Sequence, residues 1–309
     1  MDFQIDVQKD ILEQFATQLG LEITDNRIFL NSGQVKGEIS SFQFADQIEL
    51  YHFSFTLGQA LVVHSINPPE SKWLLLNINL SQSKLVKTVN GQELQFQRLL
   101  SSGVLFYSPD TEVIGGSPTN EACEIVLLRM PIHLLEQYEA AATIILGKSQ
   151  ILYEDLDPAS EAALRKALVA DNVFQKHAAV LSFCGLMVEK ILTGEREPIS
   201  EKIHPQDIKA LFMAAALIRD PLLAAFPSVE MLAQTAGMGL TKFKQSFRQL
   251  FGLPPRKYHQ KIRMEYARTE LLEKGRTATD VSYSLGYSHP SKFTQAYKKH
   301  FGSLPSQLR

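Results

Sequence analysis

The C-terminal third of this chain contains one segment twice, at an offset of 50 residues. KFKQSFRQLFGLPP, which begins at Lys242, aligns with KFTQAYKKHFGSLP, which begins at Lys292. Six positions are identical, and Phe247 corresponds to Tyr297. Such a repeat indicates one supersecondary unit used twice, so both copies are predicted to fold alike.

Each copy has the spacing of two helices joined by a short turn. In the first copy, Ser228 is a suitable N-cap for a short helix, and a second helix is predicted at 240–251. In the second copy, Thr277 or Thr279 caps the first helix, and Pro290 stands at the first position of the next one. Two helices joined by a tight glycine-containing turn are typical of the helix-turn-helix that reads DNA.

The second helix of each unit has an aromatic side and a polar side. Phe243, Phe247 and Phe251 recur at helical spacing, as do Phe293 and Tyr297, so these rings are predicted to be buried. The opposite side carries amide, hydroxyl and basic groups, which are the groups that contact base edges and phosphates. The outward positions are Thr241, Lys244, Gln245 and Arg248 in the first unit and Ser291, Thr294, Gln295 and Lys298 in the second.

Charge is divided unevenly along the chain. Residues 206–309 contain 16 Lys and Arg against 7 Asp and Glu, a net charge of +9, although the whole chain carries only −2. The first 205 residues therefore carry −11. Because the basic region coincides with the repeat, the charge pattern favours nucleic-acid binding by that half.

The repeats are connected by a segment at 255–273 that is predicted to form one helix about 28 Å long. Successive major grooves on one face of DNA lie about 34 Å apart, so this helix is a suitable spacer between two DNA-reading units. Arg263, Ala267 and Leu271 share one face of it. We expect that face to pack against both units rather than to take part in catalysis.

The region from Asp207 to Arg309 resembles the AraC/XylS family of bacterial transcription regulators. The resemblance rests on the pattern R-x3-A-x3-L-L at 263–272 and on GYSHPSKFTQAYKKHFGSLP at 286–305. It implies a seven-helix domain with two DNA-reading helices. It also implies a regulator, usually an activator, that contacts RNA polymerase near a promoter.

The resemblance implies roles for individual residues by position. Gly239 stands where the family commonly has a serine cap, and His289 and Pro290 stand where it commonly has a polar pair, so base preference at these positions is open. The implied base-reading residues are Thr241, Lys244, Gln245, Pro290, Ser291, Thr294 and Gln295, and the implied phosphate contacts are Lys242, Arg248, Lys292, Lys298 and Lys299.

The first half of the chain changes its hydrophobic period near residue 130. Before it, alternating and short apolar runs predict several strands, and after it the spacing is helical. Strands are expected at 51–57, 74–80, 94–97, 104–107 and 123–130, and helices at 131–141, 158–169 and 176–192. The predicted domains are 1–130, strand-rich; 131–193, a helical dimerisation segment; 194–206, a linker; and 207–309, DNA-binding.

The predicted fold class is α+β, with a strand-rich, cupin-like barrel and following helices before an all-α domain of two helix-turn-helix units. The cupin-like part is an analogy with family members in which such a domain binds an effector and adjoining helices dimerise. Two alternatives stay open: a first half that only dimerises, and a cupin-type sensor enzyme with a DNA-binding module. The candidate pocket residues are Phe53, Phe55, Trp73, Phe96 and Phe106, and the candidate dimer residues are Leu181, Cys184, Val188 and Ile191.

Other function classes lack the residues they need. Cys123 and Cys184 are isolated in apolar runs, which predicts reduced thiols in the cytoplasm rather than a zinc site. His52 and His64 do not have the spacing of cupin metal ligands, and no phosphate-binding loop is present. The N-terminus does not read as a signal peptide, and the longest apolar run, 210–218, is shorter than the roughly 20 residues of a membrane span.

We therefore expect a non-enzyme without catalytic residues, cofactor, metal or membrane contact. The expected partners are double-stranded DNA, RNA polymerase, a second copy of the chain and an unidentified small-molecule effector.

Overall fold

The strand-rich half forms two β-sheets in the computed structural model, which describes the chain outside residues 33–34, 82–84, 90–91, 97–102, 118, 137, 147–150, 195–202, 220–224, 273 and 308–309. Contacts divide the chain into two units, Met1–Lys209 and Ala210–Arg309. All described strands belong to the first unit, and the described part of the second is helical. The predicted α+β class is confirmed.

The first unit begins with a strand, a helix and a run of further strands. Helix α1 (Ile11–Leu19) follows the first strand. The strands are β1 (Asp2–Asp6), β2 (Arg27–Ser32), β3 (Val35–Gln43), β4 (Glu49–Leu57), β5 (Leu61–Asn67), β6 (Trp73–Asn79), β7 (Leu85–Val89), β8 (Gln92–Phe96), β9 (Gly103–Tyr107), β10 (Thr111–Ser117), β11 (Ala122–Pro131) and β12 (Ile151–Asp155).

The two sheets have the orders β1-β5-β10-β7-β8 and β12-β9-β6-β11-β4-β3-β2. The β1–β5 pair is parallel, and the other described pairs within these sheets are antiparallel. Both sheets contribute side chains to one interior cavity, so they face each other across it. Helix α1 adds Ile11, Phe15 and Leu19 to the cavity wall.

The seven-stranded sheet is covered on both faces, which the alternation alone does not predict. In β6, Leu74, Leu76 and Ile78 belong to a core shared with the helices that follow the sheet. Leu75 and Asn77, between them, face the cavity. Side chains of a strand alternate between the two faces, so a strand with an apolar layer on each side is buried along its whole length.

The helices of the first unit follow β11. We expected one helix at 131–141, but Pro131 ends β11, where it pairs with Trp73, and two short helices follow. Proline fits that strand end because its missing N–H removes no ladder bond that a strand interior would need. The helices are α2 (His133–Glu136), α3 (Glu139–Ile145), α4 (Pro158–Val169) and α5 (Val173–Thr193), the last two as expected.

Side chains cap these longer helices. Asp157 accepts a hydrogen bond from the backbone N–H of Ser160 at 2.8 Å, and Asn172 does the same for Phe174 at 2.8 Å. Burial of Asp157 opposes its ionisation, but Lys190, whose Nζ lies 2.6 Å from Oδ2, lowers the pKa of this carboxyl below its usual value. The predicted linker at 194–206 lies largely outside the described residues.

The second part of the chain consists of helices joined by short turns. Ser228 caps α7 by accepting from Met231 N–H at 3.0 Å, as expected. Thr277 caps α10 in the same way, and Thr279 lies inside that helix. The helices are α6 (Pro205–Ile218), α7 (Val229–Thr235), α8 (Leu240–Phe251), α9 (Pro255–Leu272), α10 (Ala278–Ser284) and α11 (Pro290–Phe301), before a short 3-10 helix, Pro305–Gln307.

Candidate nucleic-acid interface

The aromatic sides of α8 and α11 are buried, as the repeat predicts. Phe243, Phe247 and Phe251 are at most 2% exposed, with ring centroids 5.5 Å and 4.5 Å apart along the helix. In α11, the Phe293 and Tyr297 rings are fully buried with centroids 5.7 Å apart. Because each helix is fixed by its aromatic side, the opposite face is held outward.

The outward face of α8 presents four of the five predicted contacts to solvent. Thr241, Lys242, Lys244 and Gln245 are exposed, and Arg248 is half-buried. They lie within the first two and a half turns, which is the part of a recognition helix that contacts base edges.

The outward face of α11 repeats this arrangement with one difference. The Thr294 hydroxyl donates to the carbonyl oxygen of Pro290 at 3.0 Å, and both residues are half-buried. Thr294 is thus less available to a base than its position predicts. The exposed residues of this face are Ser291, Lys292, Gln295, Lys298 and Lys299.

Helices α8 and α11 differ from α7 and α10, the helices that precede them, in how their N-terminal ends are capped. Gly239 and His289 are the N-cap residues of α8 and α11, and neither makes a side-chain cap hydrogen bond. Ser228 and Thr277 do cap the helices that precede them. The departures noted at Gly239 and His289 are therefore compatible with helix formation, since glycine is a fair N-cap and Pro290 suits the first helical position.

Helix α9 packs against both helix-turn-helix units. The Arg263 guanidinium donates through Nη2 to the carbonyl oxygen of Leu285 and lies 5.2 Å from the centre of the Tyr287 ring. Near the start of α9, the Tyr258 ring lies 5.6 Å from Phe247. Ala267, one turn after Arg263, is fully buried. Arg263, Ala267 and Leu271 pack against the second helix-turn-helix unit, and Tyr258 supplies the contact with the first.

A buried carboxylate that sequence reasoning missed secures the end of α9. Glu270 is 2% exposed and forms ion pairs with Lys274 at 2.6 Å and Arg276 at 2.8 Å. Hydrogen bonds from these two cations lower the pKa of the Glu270 carboxyl. The i,i+4 spacing of Glu270 and Lys274 is the signal that points to this pair in the sequence.

The interior cavity of the first unit has a volume of about 130 Å³. Phe53 and Phe55 line it, whereas Phe106 belongs to the core on the other face of its sheet, where β9 alternates with cavity-lining Tyr107. Trp73 is 5% exposed but packs 4.5 Å from the Arg129 guanidinium, away from the lining. The side chain of Phe96 lies outside the described part of the structure.

The expected dimer residues on α5 occupy different environments. Cys184 and Ile191 are 8% and 0% exposed in the core of their own unit, and Val188 packs against that core. Burial raises the pKa of the Cys184 thiol to about 12. Cys184 and Ile191 do not reach a partner while this core is intact. Leu181 is 44% exposed. It shares an outward stripe with Phe174, which is 80% exposed, and Leu192, which is 43% exposed; neither was among the expected dimer residues.

Two negative observations apply to the described residues. They contain no group of three or more His, Cys, Asp or Glu residues placed to hold a metal ion. No helix within the described ranges is both long enough and apolar enough to cross a membrane.

Comparison with known proteins identifies relatives of the C-terminal region. Residues 232–309 match a family model described as a helix-turn-helix domain. Over 77 residues, 25% of this chain, the sequence is 40% identical to the virulence regulon transcriptional activator VirF of Yersinia enterocolitica, of which the match covers 28%. Over 73 residues, 24% of the chain, it is 40% identical to the HTH-type transcriptional regulator ExsA of Pseudomonas aeruginosa, of which 26% is covered.

The chain thus matches little more than a quarter of the length of these curated relatives. Among solved structures, ToxT from Vibrio cholerae aligns with 84% of this chain and 97% of its own, at 14% sequence identity and a TM-score of 0.34.

Proposed function

We propose that this protein is a sequence-specific, DNA-binding transcription regulator, because residues 232–309 match a helix-turn-helix family model and resemble regulators of the AraC type. One observation carries the proposal: two helices with matching buried aromatic sides present matching amide and basic groups outward. The +9 charge of residues 206–309 supports it, because phosphate neutralisation supplies much of the affinity for DNA.

In this proposal the reading residues divide into two roles. Gln245 and Gln295 pair with adenine edges, and Lys244 contacts a base, while Lys242, Arg248, Lys292, Lys298 and Lys299 neutralise phosphates. Thr241, Pro290, Ser291 and Thr294 complete the base-facing surface. The 18 residues of α9 give a spacer of about 27 Å, which suits two readers on successive major grooves of one duplex.

We further propose that the protein activates transcription in the cytoplasm by contacting RNA polymerase, and that a small effector in the first unit controls it. The activator role is proposed because the relative VirF is a transcriptional activator. The cavity between the two sheets favours an effector-binding unit over one that only dimerises, because an interface alone does not require an interior space.

The test of DNA binding begins with selection of duplexes from a random pool by the full chain. Gln245→Ala is expected to weaken binding to the selected site by about 5- to 150-fold, with relaxed preference at one base position. Lys298→Ala is expected to weaken selected and random duplexes equally and to lower the salt slope by about one. Gln234→Ala, an exposed glutamine on α7, is the matched control and is expected to retain base preference.

Recovery of no common sequence from the pool refutes sequence-specific binding. Equal effects of Gln245→Ala and Lys298→Ala on selected and random duplexes refute the division of roles between reading and phosphate contact.

We propose that α5 pairs two copies of the chain through its outward stripe of Phe174, Leu181 and Leu192. These residues are separated by 7 and 11 positions, so they follow one side of the helix as the apolar positions of a helix pair do. Phe174→Asp with Leu181→Asp is expected to halve the mass found by light scattering. Glu189→Gln, on an exposed position of the same helix, is the control, and an unchanged mass for the double variant refutes this interface.

A further inference from the structure

The interior cavity of the first unit is lined mostly by apolar side chains. Phe3 and Ile5 of β1, Phe15 of α1 and Phe53 and Phe55 of β4 contribute to its wall. Of the described residues that line it, none is Asp, Glu, Lys, Arg or His. The α-amino group of Met1, which belongs to the lining, donates to the carbonyl oxygen of Ala60 at 2.8 Å. No lining side chain offers an ionised group an opposite charge to offset its loss of water, so the cavity disfavours a charged ligand.

Two buried polar side chains stand side by side in the wall of this cavity. Asn67 ends β5 and Thr111 begins β10, and the two are direct neighbours in the antiparallel register. They are 2% and 3% exposed, and both line the cavity. Asn67 Oδ1 and Thr111 Oγ1 have no hydrogen-bond partner in the described structure. Buried polar atoms normally have such a partner, so these two atoms are available to a ligand.

The orientation of the Asn67 amide is fixed by its surroundings. Its Nδ2 donates to the carbonyl oxygens of Trp73 at 3.0 Å and Ser108 at 3.1 Å. Two carbonyl acceptors require the NH2 group on that side, so the amide oxygen points away from these carbonyls and accepts only. The Thr111 hydroxyl both donates and accepts. A ligand hydroxyl matches this pair, because it donates to Oδ1 and accepts from Oγ1.

The volume limits the size of the ligand. An engineered protein cavity of about 150 Å³ with apolar walls binds benzene, and the cavity here is of similar size, about 130 Å³. We propose that it binds a neutral molecule of about one ring, apolar over most of its surface, whose single hydroxyl group bonds to Asn67 and Thr111. This inference names the effector class of the proposed regulator and rests on that function only for its regulatory meaning.

Three probes of nearly equal shape test the proposal on the full chain: phenol, toluene and benzoate. Calorimetric titration at pH 7 is expected to give saturable binding of phenol, binding of toluene about two- to tenfold weaker, and no binding of benzoate up to about 10 mM. Thr111→Val keeps the shape of the side chain without its hydroxyl. It is expected to shift the ratio of phenol to toluene affinity towards toluene by about three- to tenfold.

Two further variants separate a specific effect from a general loss of structure. Thr111→Ser keeps the hydroxyl and is expected to retain the preference for phenol. Thr56→Val, at an exposed position of β4 outside the cavity lining, is expected to bind all probes as the unchanged chain does.

Equal affinity for phenol and toluene, benzoate binding as tight as phenol, or no saturable binding of any probe refutes the proposed ligand class. An unchanged affinity ratio in Thr111→Val refutes the assigned contact. None of these outcomes alters the selection of DNA by the C-terminal half, so the proposed regulator function fails or stands by its own test.

Discussion

The buried ion pair of Arg129 and Glu49 is expected to decide the stability of the first unit. The two side chains are 5% and 8% exposed, and Arg129 Nε donates to Glu49 Oε2 at 2.7 Å. Arg129 Nη1 also donates to the carbonyl oxygens of Val7 at 2.5 Å and Lys9 at 2.6 Å. One guanidinium therefore joins β11 and β4 to the chain that leaves β1.

Removal of one member leaves the other charge buried without its opposite charge, which costs about 3–5 kcal/mol. We expect a loss of this size in the free energy of unfolding for Arg129→Met and for Glu49→Gln. With an m-value of about 2 kcal/mol per M urea, the unfolding midpoint falls by about 1.5–2.5 M. Arg27→Met is the matched control, because its ion pair with Glu38 is partly exposed and is worth about 0–1 kcal/mol.

Fluorescence of Trp73 reports the unfolding of the first unit alone. Trp73 is the one tryptophan of the sequence, is 5% exposed and lies in β6. The double variant Arg129→Met with Glu49→Gln is expected to lose less stability than the two single variants together, by about 2 kcal/mol or more. Additive losses to within about 0.5 kcal/mol, or single losses no larger than that of Arg27→Met, refute the reasoning.

Four further outcomes follow from individual residues. Gly37→Ala is expected to cost more than about 2 kcal/mol in urea unfolding, because its φ is 138° and a Cβ atom would meet the β4 backbone. Gly185→Ala, in open space on α5, is expected to add stability instead, by up to about 1 kcal/mol. Ser228→Ala is expected to cost about 1 kcal/mol of the stability of the second unit, measured by helix loss in circular dichroism, because it removes the α7 cap. Cys123 and Cys184 are expected to resist a thiol reagent at pH 8 and to react after unfolding, because burial raises both thiol pKa values.

The sequence is sufficient to predict the outward faces of α8 and α11 because each helix has one aromatic side. The buried rings determine which side of each helix faces the core; they are Phe243 and Phe247 in one copy and Phe293 and Tyr297 in the other. Position then determines which polar residues face outward. The exception, Thr294, depends on a hydrogen bond within the helix that spacing does not reveal.

The first unit is less predictable because its elements are apolar on more than one side. Every residue of β9 is buried, so alternation does not tell which of Phe106 and Tyr107 faces the cavity. A shift of one residue exchanges the two faces of a strand. In α5, apolar residues surround most of the helix, and only the folded core separates buried Ile191 from exposed Leu181.

The pairing of Asn67 with Thr111 in the cavity wall could not be predicted from the sequence. Asn67 lies in the turn-like segment NPPE, where asparagine is common for local reasons. Thr111 lies 44 residues further on. Their neighbouring positions follow from the pairing of β5 with β10, and the free Oδ1 and Oγ1 atoms follow from the side-chain bonds that the fold supplies or omits.

The cavity and the Arg129 ion pair share one structural element, and this links ligand binding to stability. Phe3, Ile5 and Val7 line the cavity, and the carbonyl oxygen of Val7 is an acceptor for Arg129. A ligand that contacts these side chains adds to the attachment of the same segment. Coupling between two equilibria is reciprocal. If ligand binding stabilises the attachment of this segment, a variant that weakens the attachment must lower the affinity for the ligand by the same factor. Arg129→Met is therefore expected to lower phenol affinity although Arg129 lines no part of the cavity, and unchanged affinity in a folded variant contradicts this coupling.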